Sequence, residues 1–174
     1  MSARLDDATL LKRRAAALAR PVADPSRHSG EVVLVTLVGK ARYSARLEAL
    51  SGVVALPWLT RIPHAPAFVA GLAPLHGRIL TIVDLGALLG ETDPGPLRFG
   101  LILELAGEPF GIGVPALVGL EPDRGTPGAA IPAGIAEPVR HLIEAVSPDG
   151  VCRLNLPRLI ETLTSIGVQG STAT

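Results

Sequence analysis

At 174 residues the chain has room for one domain, or for two very small ones sharing a core. Hydrophobic residues make up 48% of it and aromatics only 3%, so the core must be built from Val, Leu, Ile and Ala. Sixteen basic residues balance sixteen acidic ones, which excludes the electrostatic footprint of a nucleic-acid or anionic-membrane binder.

The N-terminal MSARLDDATLLKRR has no apolar h-region and carries two aspartates, against a secretory signal. No apolar run reaches the roughly 18 residues that span a bilayer, and the expected compartment is the cytoplasm. Residues 6–20 read as a helix, with Leu11, Ala15, Leu18 and Val22 at i, i+4, i+7 and i+11. Two aspartates at its start and basic residues after them suit the helix dipole. PVADPSRHSG, residues 21–30, is a linker.

From Glu31 the pattern turns to strands. Val32–Val38 is a β-branched run, Gly39-Lys40 a turn and Ala41–Arg46 a returning strand. Leu47–Leu50 fits one helical turn before a strand at Val53–Leu56, and LTRIPHAP (Leu59–Pro66) is a loop stiffened by two prolines. FVAGLAPLHGRILTIVD then reads as a hairpin turning at His76-Gly77. After the Pro/Gly-rich junction Gly90–Pro96, strands resume at Phe99. Gly and Pro, 19 and 16 residues, fall between short apolar runs, the punctuation of a turn-rich β protein.

The chain repeats itself. GKARYSARLEALSGVV (residues 39–54) resembles GEPFGIGVPALVGLE (residues 107–121), with Tyr43 against Phe110 and Ala-Leu-x-Gly-apolar at 49–53 and 116–120. RILTIVDLGALLG (residues 78–90) recurs as GVCRLNLPRLIET (residues 150–162), which places Asn155 where the first copy has Asp84. A position that accepts either Asp or Asn between a strand and a helix is a helix N-cap, its side-chain oxygen taking a first-turn N–H. Leu85, Leu88 and Leu89 then make the buried stripe, Gly90 ends the helix, and Pro157 sits near the first helical position of the second copy. Two copies of a five-strand pattern, each too small for a good core, predict a mainly β fold. They would form two pseudo-symmetric five-stranded, SH3-like barrels with short helices and an extra N-terminal helix. The expected division is 1–30 for helix and linker, 31–163 for the double barrel (halves near 31–92 and 97–163) and 164–174 for a tail.

Candidates for chemistry are sparse. The single cysteine, Cys152, excludes an internal disulfide and multi-cysteine metal sites, and it lies in a strand, Val151–Leu154, without a nearby cationic cluster to form a thiolate. His28, His64, His76 and His141 are scattered over linker, loop, turn and strand, without metal-pair spacing. Gly111-Ile-Gly113 leads into Val-Pro rather than a helix, so it is not a phosphate loop. Glu104 and Glu108 flank a turn, and Asp123 and Arg124 sit in a Pro/Gly loop, all expected in solvent. Neither catalytic residue, metal nor cofactor is expected.

TRIPHAPAFVAGLAPLHGRILTIVDL (residues 60–85) resembles the signature of the CheW-like adaptor domains of bacterial chemotaxis, in which a P-x-a-P-x-F-v-x-G stretch leads to N-L-R-G and a terminal D-L. Pro63, Ala65, Pro66, Phe68, Gly71, Leu75, Gly77, Asp84 and Leu85 match it. The resemblance extends from Glu31 to about Leu163. It implies a non-enzymatic adaptor that joins the cytoplasmic tips of methyl-accepting chemoreceptors to the regulatory domain of a histidine kinase. Carried over by position, the receptor-binding residues would be Leu50, Gly52, Val53, His76 and Leu117, the kinase-facing residues staying unassigned. The sequence departs from the family at His76 (Arg in the pattern), Pro74 (Asn), Gly52 (Glu), Thr81 (Pro) and Pro115 (Asp). Two other readings stand beside this one: a diverged scaffold with another partner, and a small hydrolase or transferase using Cys152 with His141.

Overall fold

The computed structural model describes residues 31–165 apart from 76, 106, 128, 132–134 and 136. The helix expected over 6–20 lies outside the described residues, as do His76 and the tail beyond 165.

Among the described residues eleven strands form two sheets. They are β1 (Val32–Val38), β2 (Ala41–Arg46), β3 (Gly52–Ala55), β4 (Val69–Leu75), β5 (Arg78–Asp84), β6 (Phe99–Leu105), β7 (Glu108–Val114), β8 (Ala116–Pro122), β9 (Thr126–Pro127), β10 (Ile143–Val146) and β11 (Cys152–Leu154). The described α-helices α1 (Leu85–Leu89) and α2 (Leu156–Ser165) follow β5 and β11. Single 3-10 segments occupy Leu47–Ala49, as expected, and Glu137–Leu142. His141, expected in a strand, belongs to the second of these.

The repeat does not close on itself. One sheet has the order β8-β1-β2-β11-β10-β9, the other β3-β6-β7-β5-β4, so each combines strands from both halves of the chain. After each hairpin the chain crosses over, by the short 3-10 segment before β3 and by Pro115 alone before β8. The exchange preserves the symmetry residue by residue. Gly119, Val35, Ser44, Arg153 and Ala145 stand side by side across one sheet, and Gly52, Ile102, Gly111, Ile82 and Gly71 across the other. The sixth strand of the first sheet, β9, is a two-residue addition without a counterpart.

The sheets share one core. Leu34, Val38, Tyr43 and Ala45 of the first meet Val83, Leu101, Leu103, Phe110, Ile112 and Val114 of the second. Leu85 and Leu89 of α1 and Leu156, Leu159 and Leu163 of α2 join the same cluster. Mixing strands from both halves lets two small sheets bury a contiguous apolar face that neither half holds alone. The other face of the five-stranded sheet has its own core of Ala73, Leu80, Ile82 and Ile102. On the matching face of the six-stranded sheet the described buried apolar cluster is Val33, Val35 and Val151.

Both helices start as the repeat predicts. Asp84 Oδ1 accepts the Ala87 N–H at 3.1 Å, and Asn155 Oδ1 accepts the Arg158 N–H at 3.0 Å. Gly90 closes α1 in the left-handed region at φ 76°. Tyr43 is buried within the shared core, its hydroxyl donating to Glu91 Oε1 at 2.9 Å. Burial first, then the bond to Glu91 and that residue's charge, push ionisation of the phenol well above its ordinary range. Asp123 departs from expectation: far from being solvated, its side chain is 9% exposed and pairs with Arg153.

Candidate docking site

β3 and β8 are the open edges of the two sheets at symmetry-equivalent places, beside β6 and β1 respectively. The segments Ala49–Val53 and Ala116–Leu120 build matching surfaces there. Leu50 and Leu117 are half-buried and pack against the shared core. Three residues further along, Val53 and Leu120 are 39% and 59% exposed. Val53 lies opposite Leu101 and Leu120 opposite Leu34, both core residues, so these two apolar side chains extend the core face to the rim of each sheet. Leu120 was missed by the sequence reading, although the repeat aligns it with Val53. An edge strand carrying exposed branched side chains is a surface prepared for a partner.

Gly52 stands at the start of β3, and a Cβ built there would meet no atom within 4 Å. The Glu that the family pattern carries at this position therefore has space and is simply absent. His76 lies outside the described residues, but the strands flanking it are placed: the β4–β5 hairpin forms the edge of its sheet opposite β3, with β6 and β7 between. Near the hairpin's end Pro74 is exposed opposite Ile79, itself 60% exposed. Four of the five residues carried over from the resemblance, Leu50, Gly52, Val53 and Leu117, thus belong to the β3 and β8 edges, and the fifth, His76, lies outside the described residues.

A second surface is a cleft of about 540 Å³ and mixed character, lined by Leu56, Trp58, Ile62 and Leu97 together with Arg61 and Asp84. The loop that forms it is held by the pair Thr60 N–H to Leu72 O and Leu72 N–H to Thr60 O, at 2.9 and 2.8 Å. That approach demands Gly71, at φ 144°, because a Cβ there would fall inside contact with the Thr60 carbonyl.

The nucleophile reading finds the opposite of an activated thiol. Cys152 is 2% exposed, and burial pushes its pKa up. His141 is exposed, its Nε2 3.3 Å from Thr162 Oγ1. Asp84 lines the cleft beside Trp58 and Arg61, but its carboxylate is occupied in capping α1. Among the described residues no group of three or more His, Cys, Asp or Glu is placed to hold a metal, and no helix is long and apolar enough to cross a membrane.

A family model for the CheW-like domain matches residues 31–163. The chain belongs to the CheW-like domain family. A search of curated proteins returns no match. Among solved structures, the scaffolding protein TtCheW from Thermoanaerobacter tengcongensis is similar, with a TM-score of 0.61 and 22% sequence identity over 72% of this chain and 88% of that one. That likeness is one of fold. It agrees with a mainly β body made of two sheets and few helices.

Proposed function

We propose that this CheW-like protein is a non-enzymatic cytoplasmic adaptor that couples the tips of methyl-accepting chemoreceptors to the regulatory domain of a chemotaxis-type histidine kinase. The observation that carries the reading, beyond family membership over 31–163, is the paired apolar edge: Leu50 and Leu117 anchored in the core, Val53 and Leu120 exposed beside them. In this reading each sheet belongs to one of the two small barrels, and a receptor helix lays its i, i+3, i+4, i+7 stripe against these edges. Gly52 supplies no charge at the β3 edge, so the contact there is mainly apolar and its register is set by shape rather than by ion pairs.

Val53→Asp and Leu120→Asp test this. Each places a charge at the rim without disturbing the half-buried Leu50 or Leu117, and each is expected to lower affinity for a receptor-tip fragment by about tenfold or more. Binding to the kinase regulatory half should be unchanged. Undiminished receptor affinity in both variants would refute the assignment of the edge.

The open space at Gly52 favours one alternative, a diverged scaffold whose partner is not a receptor tip. His76→Arg separates the two readings. It should strengthen receptor binding in the first and leave the protein's interactions unaltered in the second.

A further inference from the structure

The interiors of the two sheets differ at one symmetry-related position. The five-stranded sheet has Ile82, fully buried beside Gly111. The six-stranded sheet has Arg153, 6% exposed, beside Ser44. Around Arg153 lie Val33, Val35 and Val151 and a cavity of about 20 Å³, room for about one water. A guanidinium in such a setting is costly unless its charge is matched. Arg153 Nη1 donates to Asp123 Oδ2, and its Nε lies 2.7 Å from Glu144 Oε1. The Nε–H does not aim along that line, so the second contact is an ion pair without a hydrogen bond. Glu144 Oε1 is also 3.3 Å from Arg46 Nε, and Arg46 Nη1 is 3.3 Å from Glu31. The charges alternate in an unbroken row, Asp123–Arg153–Glu144–Arg46–Glu31, from the interior to the surface.

This row holds the end of β8. That strand pairs only with β1 and stops at Pro122. Asp123, the next residue, donates its N–H to Glu31 O at 2.8 Å and receives both Arg153 and the Gly125 N–H, the latter at 2.8 Å. The turn packs on the guanidinium: a Cβ added at Gly125 would stand 3.3 Å from Arg153 Nη1. An aliphatic residue at 153, like Ile82 in the other sheet, would fill the interior but leave the Asp123 carboxylate without its cationic partner, held by the Gly125 N–H alone. Apolar replacements of buried ion networks are often neutral or stabilising, so a gain in stability does not account for the arginine.

We infer that Arg153 is a positioning residue: through Asp123 it fixes the end of β8 and so the presentation of Leu117 and Leu120 to a partner. The consequence for binding rests on the docking role proposed for β8; the effect on the strand does not, and the test reads both.

The full chain is compared with Arg153→Ile/Asp123→Asn, which removes the buried pair while Asn can still cap the Gly125 turn. Hydrogen–deuterium exchange of the 116–123 peptide should accelerate by about tenfold or more, with β6 and β7 unchanged. The thermal midpoint should move by no more than a few degrees, and affinity for a receptor-tip fragment should fall about tenfold. Arg153→Lys retains the charge and should recover most of the protection of β8. Unchanged exchange at 116–123, a rise shared by all strands, or failure of the lysine to rescue overturns the inference. If the double variant does not fold, Arg153→Gln/Asp123→Asn keeps a neutral hydrogen bond at the same place and is read against the same outcomes. A wild-type chain that does not bind the receptor fragment refutes the docking role alone, and exchange at β8 still decides the role of Arg153.

Discussion

Tyr43→Phe should reverse its effect on stability between neutral and alkaline pH. Tyr43 is the chain's only tyrosine, buried in the shared core with its hydroxyl 2.9 Å from Glu91 Oε1. Losing a hydrogen bond to a charged acceptor costs about 1.5–3 kcal/mol, but Glu91 is only half-buried and regains water, so the net loss at pH 7 should be about 1 kcal/mol. The fold also holds the phenol neutral, its pKa raised by burial and by Glu91. A raised pKa means that the stabilising contribution is complete below about pH 10, the phenol's ordinary value, and is lost as the pH rises above it. Over that window the wild type should lose about 1.4 kcal/mol per pH unit from this group, and the phenylalanine variant none. The two stabilities should therefore cross near pH 11. Urea denaturation of both proteins at pH 7, 9, 10 and 11 measures this. Cys152, whose pKa burial raises, adds its own alkaline loss to both proteins, and its charge is also a minor contributor to the raised pKa of Tyr43. If the two curves fall in parallel from pH 9 to 11, the phenol is not held neutral in the core and the reasoning fails.

Asp84→Ala should cost about 1 kcal/mol by denaturation because it strips the cap from α1, whereas Asp84→Asn should cost a few tenths at most, since Asn155 does the same work on α2. Gly71→Ala should destabilise by on the order of 2–3 kcal/mol, the sum of a positive φ and a clash with the Thr60 carbonyl. Gly52→Ala, in open space at a strand edge, should be neutral within about 0.5 kcal/mol, and equal losses for the two glycines would contradict the packing described.

Much of the local structure was legible in the sequence because its causes are local. β-branched runs, glycine turns and the Asp84/Asn155 alternation each act within a few residues, and the strands β1, β2 and β5 and both caps lie where these signals placed them. Strand partners are another matter. β3 and β8 are equally apolar next to either sheet, and only the packing of both halves around one core decides that they exchange. Asp123 looked solvated because its sequence neighbours are Pro, Arg and Gly, whereas its physical partner Arg153 is 30 residues away. Leu120 was within reach of the sequence: the family resemblance marked Val53, and the Ala-Leu-x-Gly-apolar repeat aligns Leu120 with it, both carrying exposed apolar side chains at a sheet edge.

The most direct test of the adaptor account is calorimetric titration of the full chain into the regulatory half of its cognate kinase, with and without a receptor-tip fragment. The account predicts a stoichiometric complex with the kinase that tightens when the receptor fragment is present. A chain that binds neither, or binds the kinase with an affinity indifferent to the receptor, would contradict its role as the link between them.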